Sequence, residues 1–202
     1  LVGNTLADRM QHDGWLETSL VSRFPDNDLV IRNLGFSGDE LTTRLRSAGF
    51  GSPDEWLTRT KADVILAFFG YNESFAGKAG LDKFKKDLDA FITHTLAQKY
   101  NGKSAPRLVI ISPIAHEDIR DPNLPHGSEN NARLELYTAA MKEVAGAKGV
   151  TFVDVFHPMK DAYARAPKPL TINGVHLTAE GNHALAQVID RALFAGAPQV
   201  NR

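Results

Sequence analysis

Val64-Ile-Leu-Ala-Phe-Phe69, followed at once by Gly70-Tyr-Asn-Glu73, decides how this chain folds. Six consecutive apolar residues show neither the spacing of an amphipathic helix nor the alternation of a half-exposed strand. They match a strand buried on both faces, and such strands belong to parallel sheets covered by helices on either side. Downstream, Leu81, Phe84, Leu88, Phe91, Ile92 and Leu96 recur at helical spacing, and Leu108-Val-Ile-Ile111 is a second buried run, stopped by Pro113. Leu134, Tyr137, Met141 and Val144 then mark a helix, and Phe152-Val-Asp-Val155 a further strand. Leu185, Val188, Ile189 and Leu193 mark a last helix, with Thr178 as its N-cap.

The pattern continues upstream. Ser52-Pro-Asp-Glu55 is a capping box with proline at the first helical position, so a helix opens there. Leu29-Val-Ile31 reads as a strand, Leu6, Met10, Leu16 and Leu20 as one face of a helix, and Leu1-Val2 as the end of another strand. Five strands separated by helices predict an α/β protein with a five-stranded parallel sheet between two helical layers. No repeat, linker or low-complexity stretch divides it, and a single domain over residues 1–202 is expected.

Composition narrows the function classes. Apolar residues make up 43% and charged residues 23%, as in soluble globular proteins. A formal net charge of −1 gives no reason to expect a nucleic acid or an anionic membrane as partner. No apolar run approaches the roughly 18 residues of a membrane helix. With no cysteine, disulfides, thiolate metal sites and cysteine nucleophiles are excluded. His12, His157 and His183 form no paired ligand spacing, so neither a metal nor another cofactor is expected. Composition says nothing of the oligomeric state. The chain begins at Leu1-Val2 without methionine, so a processed N-terminus is expected, and a secreted or periplasmic location is favoured over a cytoplasmic one.

In open parallel sheets, ligands bind beyond the carboxyl ends of the strands. The segments expected there are Gly3-Asn4-Thr5-Leu6, Asn33-Leu-Gly35-Phe-Ser-Gly38-Asp39, Gly70-Tyr-Asn72-Glu73 and, ahead of the last helix, Asn173-Gly-Val-His176. In this order they resemble the four blocks of the SGNH, or GDSL, hydrolase superfamily, over nearly the whole chain. The resemblance implies a flavodoxin-like αβα fold and hydrolysis of esters or thioesters. It implies Thr5 as nucleophile, His176 as general base and Asn173 as the residue orienting it. It further implies the Gly38 backbone N–H and the Asn72 side-chain amide as oxyanion donors. The chemistry is coherent, because acyl transfer needs a hydroxyl, a base for its proton and fixed donors where the carbonyl oxygen gains charge. Asn4, His116, Glu117 and Glu73 are further candidates for substrate contact.

Two positions depart from the family pattern. Gly-Asp-Ser is here Gly-Asn-Thr, and Asp-x-x-His is here Asn-x-x-His. Threonine keeps the hydroxyl but adds a methyl group that restricts χ1. Asparagine can accept the Nδ1–H of His176 but supplies no negative charge to an imidazolium. Glu73, Glu117, Asp118 and Glu180 are the candidates for a substitute carboxylate. The expected substrate is a small-molecule or glycan ester, an O-acetylated carbohydrate before a long acyl chain, since the 113–128 loop is polar and proline-rich. Two alternatives stay open: a non-catalytic module of this fold that binds glycan, and an enzyme using His116 with neighbouring carboxylates. Thr5 also admits a bland role as a helix N-cap, and Asn173 as a turn residue before Gly174.

Overall fold

The structure is a computed structural model that describes residues 1–44 and 47–195; residues 45–46 and 196–202 of the expected 1–202 domain lie outside the described residues. Its centre is a parallel sheet of strands β1 (Val2–Gly3), β2 (Val64–Phe68), β3 (Arg107–Ile111) and β4 (Thr151–Val153), in that spatial order. Alternation of side chains along the strands builds two cores. Ile65, Ala67, Leu108 and Ile110 face helices α3 (Pro53–Arg59), α4 (Leu81–Ala97) and α5 (Ser128–Ala147), which contribute Leu57, Leu88, Ile92, Tyr137 and Met141. Leu66, Phe68, Val109, Ile111 and Val153 face the other way. There they meet α1 (Thr5–Arg9), α2 (Trp15–Arg23), α6 (Phe156–Arg165) and α7 (Ala179–Phe194) through Ala7, Leu16, Met159, Leu185 and Ile189. The αβα layering follows from this alternation.

Among the described residues the sheet has four strands rather than the expected five. Leu29-Val-Ile31 forms none, and Val30 remains 65% exposed, so burial offers it nothing. The neighbour it would pair with, β1, is two residues long. The backbone contacts shift downstream: Leu34 N–H donates to the Leu1 carbonyl at 2.8 Å and Phe36 N–H to that of Gly3 at 2.9 Å. The first expected helix is also broken. α1 passes through a 3₁₀ turn, Met10–His12, and Gly14 at φ 63° before α2 begins, although Leu6, Met10, Leu16 and Leu20 all still pack toward the sheet. Two residues separate α6 from β4, which ends at Val153 and not at the expected Val155, and α6 had no periodic signal in the sequence. The capping box at Ser52–Glu55 and the Thr178 cap both form, the latter accepting the Gly181 N–H at 3.1 Å.

Register is what matters for function. Gly3 lies beside Phe68, Phe68 beside Ile111, and Ile111 beside Val153. The carboxyl ends of all four strands therefore stop in one row, and the segments that follow them open over the same edge of the sheet.

Candidate active site

Over that edge lies a cleft of about 280 Å³. Its lining draws Asn4, Thr5 and Arg9 from α1 and the turn before it, Tyr71 and Asn72 from the loop after β2, and Ser112 from the end of β3. Asn173, Val175 and His176 come from the loop before α7. Four sequence segments far apart in the chain thus share one concavity.

Thr5 is the first residue of α1, but it is not the cap. The Asn4 side chain takes that role, its Oδ1 accepting the Leu6 N–H at 3.1 Å, and Asn4 is itself anchored by its N–H to the Phe68 carbonyl at 3.0 Å. The bland reading of Thr5 is therefore assigned to its neighbour. No hydrogen bond engages the Thr5 hydroxyl among the described residues, and it fronts the cleft. Gly3, at a positive φ of 135° that favours glycine, lies so close to β2 that a Cβ there would stand 2.1 Å from the Phe68 carbonyl oxygen.

His176 is half-buried, and its Nδ1 meets the Asn173 amide. Oδ1 lies 3.1 Å and Nδ2 2.9 Å from that ring nitrogen. The same Oδ1 accepts the backbone N–H groups of Val175 at 3.2 Å and His176 at 2.9 Å. Asn173 thus holds the turn and contacts the imidazole at once, so the two roles weighed from sequence coexist. Which amide atom engages Nδ1 sets the tautomer: bonding to oxygen leaves the Nε2 lone pair free, and bonding to nitrogen uses the Nδ1 lone pair. Burial first, and the charge of Arg9 second, hold the imidazole below the ordinary histidine range. Both effects favour the neutral ring, the form a base needs.

Asn72 lines the cleft, and its side-chain amide makes no hydrogen bond to the described protein. Gly38 stands apart. It occupies an exposed turn at φ 89° and is not among the lining residues. Its loop is tied to α1: Asp8 Oδ2 accepts from the Ser37 hydroxyl at 2.7 Å, and Asn33 Nδ2 donates to the Ala7 carbonyl at 2.6 Å.

Glu73, His116 and Glu117 do not line the cleft. Glu73 joins two loops, accepting the Leu41 N–H at 3.0 Å and the Gly70 N–H at 2.9 Å, and burial pushes its carboxyl up. Glu117 is 94% buried and accepts from Leu170 N–H at 3.1 Å and from both the N–H and hydroxyl of Thr171 at 2.7 Å. His116 has both ring nitrogens engaged, Nδ1 with Asn130 Nδ2 at 3.0 Å and Nε2 with the Pro125 carbonyl at 3.1 Å. It is packed so tightly that a Cβ on Gly174 would meet its Nε2 at 2.4 Å. Burial lowers its pKa. His116 and Glu117 therefore clamp the loop that carries Asn173 and His176. Neither Asp118 nor Glu180 lines the cleft, and among the described residues no carboxylate does, so none there takes the place of the missing aspartate.

Sequence reasoning missed Arg9, Tyr71 and Asn182, which all line the cleft. For Arg9 a signal existed: it lies four residues after Thr5, on the same face of α1. Tyr71 lies inside the Gly70–Glu73 block expected at the site, between two residues already singled out, while Asn182 carried no signal. Among the described residues no three His, Asp or Glu side chains gather in a metal-holding arrangement, and no helix is long and apolar enough to cross a membrane.

Solved structures share this architecture. A catalytic mutant of Axe2, an acetylxylan esterase from Geobacillus stearothermophilus, aligns with a TM-score of 0.72 and 16% identity over 100% of this chain and 94% of that one. LAE5, an alpha/beta hydrolase enzyme from the metagenome of Lake Arreo, Spain, aligns at 0.69 with 20% identity over 100% and 94%. A protein put forward as a GDSL-like lipase from Parabacteroides merdae aligns at 0.68 with 17% identity over 88% and 79%. At such identities the likeness is one of fold. No curated protein matches the sequence. The model of the GDSL-like lipase/acylhydrolase family, however, matches residues 3–184, nearly the whole chain, and the protein belongs to that family of ester hydrolases.

Proposed function

We propose that the protein removes a small acyl group, an acetyl on a carbohydrate foremost, by attack of the Thr5 hydroxyl with His176 as base. One observation carries this reading: an unengaged hydroxyl, an imidazole oriented by an amide, and an unengaged side-chain amide line one cleft. The cleft volume, near the lower end of ligand sites, suits an acetyl-sized group better than a long chain. An acetylxylan esterase among the proteins of the same fold is consistent with a carbohydrate ester.

In this mechanism the neutral His176 ring donates Nδ1–H to Asn173 Oδ1 and presents Nε2 to Thr5. As the Thr5 oxygen bonds to the ester carbonyl carbon, its proton passes to Nε2. The carbonyl oxygen gains negative charge and accepts a hydrogen bond from the Asn72 amide. The Gly38 N–H, the second donor that the family pattern implies, lies outside the cleft lining and is given no part in this step. Collapse breaks the bond to the leaving alcohol, which takes the proton from Nε2. Water then attacks the acyl-Thr5 ester by the same route and releases the carboxylic acid.

The test is hydrolysis of 4-nitrophenyl acetate and of acetylated xylo-oligosaccharides by wild type, Thr5→Ala and His176→Ala. Both variants are expected to fall to background. Full turnover by Thr5→Ala overturns the assignment, and wild-type inactivity across a broad ester panel favours a glycan-binding module instead.

A further inference from the structure

Among the described residues, Arg9 is the only one lining the cleft that carries a fixed charge. Its buried Nε–H has no hydrogen-bond partner, and no described carboxylate pairs with its guanidinium. The acids closest in sequence are committed elsewhere. Asp8 holds Ser37 and Gln11, and Asp13 accepts from Asn182 Nδ2 at 2.6 Å. At 173 an amide faces the His176 ring, so no negative group in the cleft balances Arg9. A buried donor left unsatisfied is costly, by about 1–3 kcal/mol and more for a charged group. Such an arrangement persists most readily where a ligand completes it. A guanidinium presents its donors in a planar fork that fits a carboxylate with two parallel bonds.

We propose that Arg9 makes this cleft selective for esters carrying a carboxylate, its guanidinium pairing with that group beside the carbonyl that Thr5 attacks. The inference rests on the esterase reading above. The substrate class is an acylated hydroxy acid, a uronic acid in the case of a sugar. Arg9 is close enough to His176 to disfavour the imidazolium, second only to burial. A bound carboxylate offsets that positive charge and supplies near the ring some of the negative potential that Asn173 does not.

The test uses a matched pair, 4-acetoxybenzoate and its methyl ester, each rate divided by the rate of hydroxide hydrolysis. Wild type is expected to favour the anionic ester in kcat/KM by about tenfold or more, the lower bound for a hydrogen bond to a charged group. Arg9→Gln brings the ratio to about one, and Arg9→Lys, which keeps the charge without the fork, falls between. A wild-type ratio of one, or a ratio unchanged in Arg9→Gln, overturns the proposal. If wild type cleaves neither ester, the esterase reading fails, and binding decides the role of Arg9. The uncleavable 4-acetamidobenzoate is titrated while the Arg9 Nε–H resonance of the wild-type protein is followed, that resonance being assigned by its loss in Arg9→Lys. A shift with the carboxylate and none with its methyl ester supports the site, and no shift with either refutes it.

Discussion

Replacing Asn173 by aspartate puts back the charge that the imidazole lacks, and the structure says how much this should matter. The new carboxylate keeps the oxygen that accepts Val175 and His176 N–H, so the turn survives. Its second oxygen takes the place of Nδ2, 2.9 Å from Nδ1, where it can only accept. The Nδ1–H tautomer is then fixed, and the imidazolium gains a direct partner. An opposite charge at this range moves a pKa by about 1–3 units, and half-burial with access to solvent puts this site at the low end. The His176 pKa should therefore rise, and kcat/KM for an acetyl ester should increase by about 10- to 100-fold on the alkaline plateau of its pH profile, where the ring is neutral. That is well short of the roughly 10⁴-fold difference between aspartate and asparagine in a serine protease, where the amide imposes the wrong tautomer, because Asn173 Oδ1 lies within reach of Nδ1–H here. The assay is the pH profile of kcat/KM for 4-nitrophenyl acetate with Asn173→Asp, alongside a thermal melt to confirm the fold. A folded variant with unchanged rate and an unmoved acid limb would refute the view that Asn173 governs the base.

Asn72→Ala should lower kcat by about 100- to 1,000-fold with little change in Tm, since its amide is unengaged in the resting protein and acts only on developing charge. A loss mainly in KM would assign it to ground-state binding. Glu117→Gln exchanges one acceptor oxygen for an amide donor facing either Leu170 N–H or the Thr171 N–H and hydroxyl. Stability in urea should drop by about 1–3 kcal/mol, and kcat should fall with it because the loop carrying His176 loosens. An unaltered urea midpoint would count against the clamp. His116 and His176 both have pKa values lowered by burial, so the unfolded chain takes up protons first, and stability declines as pH falls through about 6.5. Glu73, raised by burial, works in the opposite sense at lower pH. Melts at pH 7.5 and 5.5 should show the lower Tm at 5.5, and equal values would contradict this account.

The alternation of strands and helices was legible because it is written in local periods. Five of the six apolar residues at 64–69 are shielded from both sides, only Val64 at the strand's start staying exposed, and the helical repeats that follow supply the shields. The same logic overreached at Leu29–Ile31, where three apolar residues look like a strand but the fold leaves them no deep partner. Thr5, Asn72, Asn173 and His176 were legible as a set because each block has a fixed place relative to a strand end or a helix start, and the common register of the strands brings those places together. Other features depend on contacts between residues distant in the chain, and spacing carries no record of them. That Asn4 and not Thr5 caps α1, that His116 and Glu117 brace the loop of His176, and that Arg9 stands without an acid beside it were settled only when the chain closed on itself. Periodicity reports which face of an element is buried; what each polar atom meets there is decided by packing.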